Sequence, residues 1–276
     1  MALRRLIQRL TGLSRTPGPR SYLTQSGSLE AAINETFAGK MRFQGCAPIL
    51  NGPLVCMGFT NRSGSNLLAA YLRACPPLAG FGEDLNPSSI QARTRAMNSR
   101  SLPDFLCDIS ARSADKAVVG FKTSFEQLRM LYRYNIPAMY TDGVKLIEIR
   151  REDLVAQAIS YQIALQTGAW SSRIKTPPHP DPVCDPEALH SIIQGLTATQ
   201  TRMDILVERH LVDRLIVRYE DLVLEPDAIL QKIGRFLGFD ARDWKAERPP
   251  LERQADSTND AFRAAFRRYL RQQAPD

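Results

Sequence analysis

The chain has 276 residues, 43% of them hydrophobic and 24% charged, a composition that supports a sizeable core and excludes a disordered or membrane-embedded protein. Its 36 lysines and arginines against 29 aspartates and glutamates leave a formal charge of +7, which suits an anionic ligand. No basic stripe with interleaved aromatics and no nucleic-acid-binding motif accompanies that charge, so nucleic acid is not an expected partner. The five cysteines (Cys46, Cys56, Cys75, Cys107 and Cys184) are odd in number and far apart, as in a reduced, cytoplasmic protein. His179, His190 and His210 have no metal-ligand spacing, and no metal site is expected.

The N-terminus sets Arg4, Arg5 and Arg9 among Leu3, Leu6, Leu10 and Leu13, with no acidic residue before Glu30. It lacks the continuous apolar run of a secretory signal. A basic amphipathic helix here would suit either peripheral contact with the inner membrane surface or simple docking as a terminal helix. Residues 1–48 therefore read as a basic helical segment and linker, and 49–276 as one domain.

The apolar run Leu54 to Phe59 reads as a buried strand, and Leu67, Leu68, Tyr71 and Leu72 recur at helical spacing after it. Between them, Thr60-Asn61-Arg62-Ser63-Gly64-Ser65-Asn66 forms a small-residue turn at a helix N-terminus, where unpaired N–H groups and the helix dipole favour an anion. This is a phosphate cradle. A triphosphate-magnesium loop would need Gly-Lys-Ser/Thr, but Gly64 is followed by Ser65 and Asn66, and the cation, Arg62, precedes the glycine.

Ala117 to Lys122 reads as a second strand with a helix over 124–134, and Lys145 to Arg150 as a third with a helix over 152–166. Ser171 to Pro186 holds five prolines and reads as a long loop; 185–211 is helical. Arg214 to Tyr219 is a fourth strand, followed by a helix over 225–237 that Gly238 caps. Strands alternating with helices predict an α/β fold, a P-loop-like three-layer arrangement with a central, mainly parallel sheet flanked by helices. Ligands of such sheets bind beyond the carboxyl ends of the strands, where Arg62, Lys122 and Arg150 all fall.

The cradle resembles the 5′-phosphosulfate loop of sulfotransferases that use 3′-phosphoadenosine 5′-phosphosulfate (PAPS). Arg62, Ser63, Gly64 and Ser65 match the P-[RK]-S-G-[ST]-[ST] form, while Asn61 and Asn66 replace its proline and final hydroxyl residue. The segment from Arg150-Arg151-Glu152-Asp153 through Ala156-Gln157-Ala158, Ser160 and Gln166-Thr167-Gly168 to Trp170 is similar to the 3′-phosphate segment of bacterial carbohydrate sulfotransferases of the trehalose 2-sulfotransferase type. Tyr219-Glu220-Asp221-Leu222 extends the likeness, as does Arg253-Gln254-Ala255.

The resemblance implies PAPS as donor, yielding 3′-phosphoadenosine 5′-phosphate, with no metal. It also implies a carbohydrate or glycolipid acceptor and a homodimer. The donor would be held by Asn61, Arg62, Ser63, Gly64, Ser65, Asn66, Arg150, Ser160, Arg253 and Gln254, with Arg151 as the alternative to Arg150. Arg62 would also serve catalysis. The resemblance places the general base at Glu83, in Gly82-Glu83-Asp84-Leu85-Asn86-Pro87, or one residue on at Asp84, in which Gly82 stands where proline is frequent. Asp84, Lys122 and Gln127 are the residues expected at the acceptor, Lys122 also being placed to offset sulfonate charge. Two other readings stay open: a kinase-like phosphotransferase on the same scaffold, and a nucleotide- or glycan-binding protein without catalysis.

Overall fold

The computed structural model describes residues 27–113, 115–170, 181–241 and 257–273. The expected basic helix at 1–13, Arg253, Gln254 and residues 171–180 of the proline-rich loop lie outside them. In chain order the elements are α1 (Ser28–Thr36), β1 (Leu54–Phe59), α2 (Ser65–Ala74), β2 (Leu78–Gly82), α3 (Pro87–Met97), α4 (Leu102–Ala111), β3 (Val118–Thr123) and α5 (Phe125–Arg133). There follow a 3₁₀ turn at Ile136–Met139, β4 (Val144–Arg150), α6 (Leu154–Thr167), α7 (Pro186–His210), β5 (Asp213–Arg218), α8 (Tyr219–Leu224), α9 (Pro226–Leu237) and α10 (Ser257–Gln273).

The strands form one sheet in the order β2-β3-β1-β4-β5, and all four pairings are parallel. The fold is thus the expected α/β class, with β1 central: the chain leaves it through α2 for β2 at one edge and returns to β3, then crosses β1 to β4 and goes on outward to β5. The crevice at this crossing, at the carboxyl ends of the strands, is where such a sheet takes its ligands.

Strand alternation divides the core. Leu54, Cys56 and Leu146 pack on one face with Ile33 of α1, Phe105 of α4, Leu128 of α5 and Met203 of α7. Val55, Met57, Ile147, Ile149 and Val217 pack on the other with Leu68 and Leu72 of α2 and Ile233 of α9. A third cluster joins α6, α7 and α10 through Ile159, Leu189, Phe262 and Phe266. Each fully buried side chain of this size contributes about 1.5–3 kcal/mol.

The segment after α1 also enters the core, since Phe37, Met41 and Phe43 are buried. Glu30 of α1, fully buried, accepts from Arg129 (3.2 Å) and Arg133 (2.9 Å) of α5. Two cations therefore compensate its desolvation, and the pairing ties residues before position 48 to the sheet's helical layer.

Two differences from the sequence expectation bear on the site. Among the described residues there are five strands rather than four, because Leu78-Ala-Gly-Phe-Gly82 pairs along β3 as an edge strand. The segment between it and β3 holds α3 and α4. Pro186, read as the end of the loop, is the first residue of α7, where its missing N–H costs nothing and Asp185 caps the helix by accepting from the Ala188 N–H at 3.0 Å.

Candidate active site

The cradle lies between β1 and α2. Arg62 has a φ of 62° and Gly64 one of 94°, so the chain turns twice through the left-handed region before α2 begins. At Gly64 a side chain is also forbidden by space: a Cβ there would lie 2.2 Å from Cδ2 of Tyr219. Gly64 is the N-cap and provides no side-chain cap for the helix. The Ser63 hydroxyl, fully buried in the turn, has no hydrogen-bond partner. An unpaired buried hydroxyl beside a helix N-terminus fits an anion that would complete it.

Helix α6 grips this loop with one face. Gln157 donates to the Thr60 hydroxyl (2.9 Å) and the Asn61 carbonyl (2.7 Å). Ser160 accepts from Arg62 Nε (2.8 Å), and the Tyr161 hydroxyl accepts from Asn61 Nδ2 (2.7 Å). The positions i, i+3 and i+4 lie together on a helix, which explains how three residues can reach one loop. Arg62 also donates to the Trp170 carbonyl (2.6 Å) beyond the end of α6, and the Tyr161 and Trp170 rings meet edge to face. Burial and the nearby charge of Arg151 lower the Arg62 pKa, with Tyr219 opposing them.

The two adjacent arginines at the end of β4 part company. Arg150 shares a strand face with Glu148, which accepts from its Nε and Nη2 at 2.9 and 3.0 Å. Glu148 also accepts from Arg214 of β5 (3.0 Å), and Asp204 of α7 accepts from both arginines. Arg150 is thus committed to a network on the α7 side of the sheet, and Ser160 pairs with Arg62 rather than with it. Arg151, one residue on, lies over the ring of Tyr219 (4.9 Å), the same residue that closes against Gly64, and its buried Nε has no partner.

At the other end of the cradle a chain of direct hydrogen bonds runs from Asn66 to Gln127. Lys122, on β3 and only 4% exposed, donates to Asn66 Oδ1 and to Glu83 Oε1, each at 2.7 Å, and sits 4.6 Å from the centre of the Phe59 ring. Asn86 Nδ2 donates to Glu83 Oε2 (2.6 Å), and Gln127 Nε2 donates to Asn86 Oδ1 (3.1 Å). Glu83 itself is half exposed. Burial raises its carboxyl pKa, but the Lys122 hydrogen bond and charge, with the Asn86 hydrogen bond, outweigh that and hold it below the usual carboxylate range. Burial lowers the Lys122 ammonium more than Glu83 raises it.

Glu83 is aimed by an irregularity of β2. Pairing with β3 shifts between Gly80 and Gly82, and Phe81 takes a φ of 55°. Arg73 of α2 holds the Phe81 carbonyl at 3.0 Å. The Phe81 ring lies where a Cβ on Gly120 would be, 2.3 Å away, so the glycine two residues before Lys122 makes room for the bulge that presents Glu83. Asp84, the other acid, is buried and paired with Arg93 of α3 at 2.8 Å.

The sequence reading singled out Asn61, Arg62, Ser63, Gly64, Ser65, Asn66, Glu83, Asp84, Lys122 and Gln127, which the fold gathers at the carboxyl ends of β1, β2 and β3. It missed Gln157 and Tyr161 as holders of the cradle, although their spacing around Ser160 on one helix face was readable. Tyr219 and Asn86 stood inside segments that carry the resemblance, but nothing local gave either a role apart from the folded chain.

With this geometry in view, similarity to known proteins becomes informative. A family model described as Stf0 sulphotransferase matches residues 132–270, half of the sequence. The chain belongs to the Stf0 sulphotransferase family. A trehalose 2-sulfotransferase of Mycolicibacterium smegmatis is 33% identical over 129 residues, 45% of this chain and 45% of that protein, so the alignment spans under half the relative's length. Among solved structures, the sulfotransferase domain of the Synechococcus PCC 7002 olefin synthase is 18% identical with a TM-score of 0.48, covering 82% of this chain and 90% of that one. The sulfotransferase domain from the curacin biosynthetic pathway is 13% identical with a TM-score of 0.48, covering 75% and 82%. The Stf0 match begins after the cradle, Glu83 and Lys122, and so does not bear on these residues. Among the described residues, no helix is long and apolar enough to cross a membrane, and no three metal-ligating side chains converge.

Proposed function

We propose that the chain transfers a sulfuryl group from PAPS to a hydroxyl of a carbohydrate or glycolipid, within a single domain that takes in α1 and the buried Phe37, Met41 and Phe43 besides residues 49–276, and with Glu83 as general base. The observation that carries this reading is Lys122, a buried cation that bridges the last residue of the anion cradle to a carboxylate. Anion site, cation and base then lie within one hydrogen-bonded chain, as in-line transfer between a bound donor and a hydroxyl requires.

PAPS, when bound, supplies a sulfuryl group on an anionic phosphate leaving group. Ser63, Ser65, Asn66 and the α2 N-terminus would hold its 5′ side, and the unpaired Ser63 hydroxyl supports that assignment. For the 3′-phosphate, family resemblance offers Arg150, Ser160, Arg253 and Gln254. The unpartnered Nε and position of Arg151 favour it over Arg150 as the arginine of that set. Glu83, ionised at neutral pH, takes the acceptor hydroxyl's proton as the hydroxyl oxygen bonds to sulfur. Arg62 and Lys122 offset the charge that grows on the phosphate oxygen as it keeps the electron pair of the broken S–O bond. Asp84 and Gln127 line the base's surroundings, and a saccharide would approach the exposed side of Glu83. The trehalose-acting relative makes trehalose the first acceptor to try, and a homodimer is the assembly the resemblance implies.

Calorimetric titration with 3′-phosphoadenosine 5′-phosphate, against ATP-Mg²⁺, tests the donor site. The reading expects a micromolar or tighter Kd, about −8 kcal/mol, for the bisphosphate and weak binding of ATP. Binding of neither nucleotide refutes it. Glu83→Gln should keep the bisphosphate affinity and lose transfer of labelled sulfuryl to a saccharide panel that includes trehalose.

A further inference from the structure

Glu83 is held by more than its ion pair. One carboxylate oxygen accepts from Lys122 and the other from Asn86, whose own carbonyl accepts from Gln127. Gln127, 2% exposed, is fixed in turn by a capping box at the start of α5: its Oε1 accepts from the Ser124 N–H (2.7 Å), and its N–H donates to the Ser124 hydroxyl (3.3 Å). Every link has a forced direction. An ionised carboxylate only accepts, so Asn86 must turn its NH₂ to Glu83 and its carbonyl to Gln127, and Gln127 must then turn its carbonyl to the Ser124 N–H.

Asn86 also forgoes its ordinary task. It is the N-cap of α3, a position where an asparagine side chain normally accepts from the first turn, yet it makes no such bond. Both supports of Glu83 therefore originate in the same short stretch of chain, Lys122 to Gln127, where β3 passes into α5.

We propose that Asn86 and Gln127 are positioning residues that fix the Glu83 carboxylate through a one-way amide relay anchored on the α5 capping box. This rests on the reading of Glu83 as the base and deepens it. With one oxygen on Lys122 and the other on Asn86, the carboxylate cannot rotate, and its exposed edge keeps one orientation toward an incoming hydroxyl.

Gln127→Glu isolates the relay. Glutamate preserves the capping box, which accepts Glu as readily as Gln, but has no NH₂ to give Asn86. Asn86 would then reverse and present its carbonyl to Glu83. Asn86→Ala removes the link outright. The charged groups around Glu83 stay the same apart from the residue introduced: Lys122 on β3, Arg73 of α2 acting on Lys122, and Asp84 with its Arg93 partner.

The test is a ¹³C-carboxyl NMR titration of the full chain labelled at glutamate, with the Glu83 resonance identified by its loss in Glu83→Gln. Both variants should move the Glu83 titration to higher pH. Their release of 3′-phosphoadenosine 5′-phosphate from PAPS with trehalose should fall about 10- to 100-fold, bisphosphate affinity staying at the wild-type value and both variants keeping a single cooperative urea transition. A Glu83 titration identical to wild type in both variants overturns the relay. Failure of the base reading registers separately, as undiminished bisphosphate release by Glu83→Gln.

Discussion

Ser63→Ala should make the protein more stable and a poorer binder of its donor. The Ser63 hydroxyl is fully buried and has no partner, so folding removes it from water with no return. A buried polar group left unsatisfied costs about 1–3 kcal/mol, and alanine removes the group without altering the backbone. Allowing for relaxation of the turn, the expected gain is about 1 kcal/mol, read as a higher urea midpoint at unchanged m-value. If the hydroxyl is kept to donate to a phosphate, its loss takes away a hydrogen bond to a charged group, about 1.5–3 kcal/mol. At tenfold per 1.4 kcal/mol, calorimetry should find 3′-phosphoadenosine 5′-phosphate bound about 10- to 100-fold more weakly. The opposite signs are diagnostic, since a structural serine would lose stability first. Destabilisation beyond about 1 kcal/mol, or a Kd within twofold of wild type, refutes the reasoning.

The neighbouring Gly64→Ala should lose both properties: the left-handed φ costs about 1–2 kcal/mol, and the clash with the Tyr219 ring adds about 1–3 kcal/mol. The same urea and calorimetric measurements check it. Lys122→Met should leave stability close to wild type, because the half-exposed Glu83 returns to water and the thioether fills the buried stem. Turnover of labelled PAPS should drop about 10²- to 10³-fold, and retention within threefold argues against a role in transfer. Asp204→Asn probes the Glu148–Arg150–Arg214 network by pH. Burial raises the Asp204 carboxyl pKa, but hydrogen bonds from Arg150 and Arg214 outweigh it and hold it low. A depressed folded-state pKa adds stability above the unfolded value of about 3.9 and loses it as pH falls through the folded one. Thermal scans should therefore show the variant below wild type at pH 7, with the two converging under pH 4.

The elements legible in the sequence are those whose signal is local. Leu54 to Phe59 is an unbroken apolar run before a small-residue turn, and β1, the cradle and α2 stand where that pattern puts them. Gly238 marks the end of α9 because a helix C-cap needs a residue that tolerates a φ of 87°. β2 was not legible. Its five residues include Gly80 and Gly82, which weaken any strand pattern, and it is a strand only because β3 lies beside it. Helices α3 and α4 went unread with it, in the stretch between that hidden strand and β3.

The choice between Arg150 and Arg151 shows where sequence reasoning about the site ends. Both follow the same apolar run, and strand-end position favours Arg150. Side-chain alternation decides otherwise: Glu148, two residues before Arg150, shares its face, and a buried carboxylate on that face draws the nearest guanidinium to itself. Glu148 was visible as an acid inside an apolar strand. Such an acid is buried at a cost that only cations can offset, so the strand's own chemistry claims Arg150 and Arg214 and leaves Arg151 on the cradle's side of the sheet. Asp204 completes the claim from α7, which no local pattern near residue 150 could have announced.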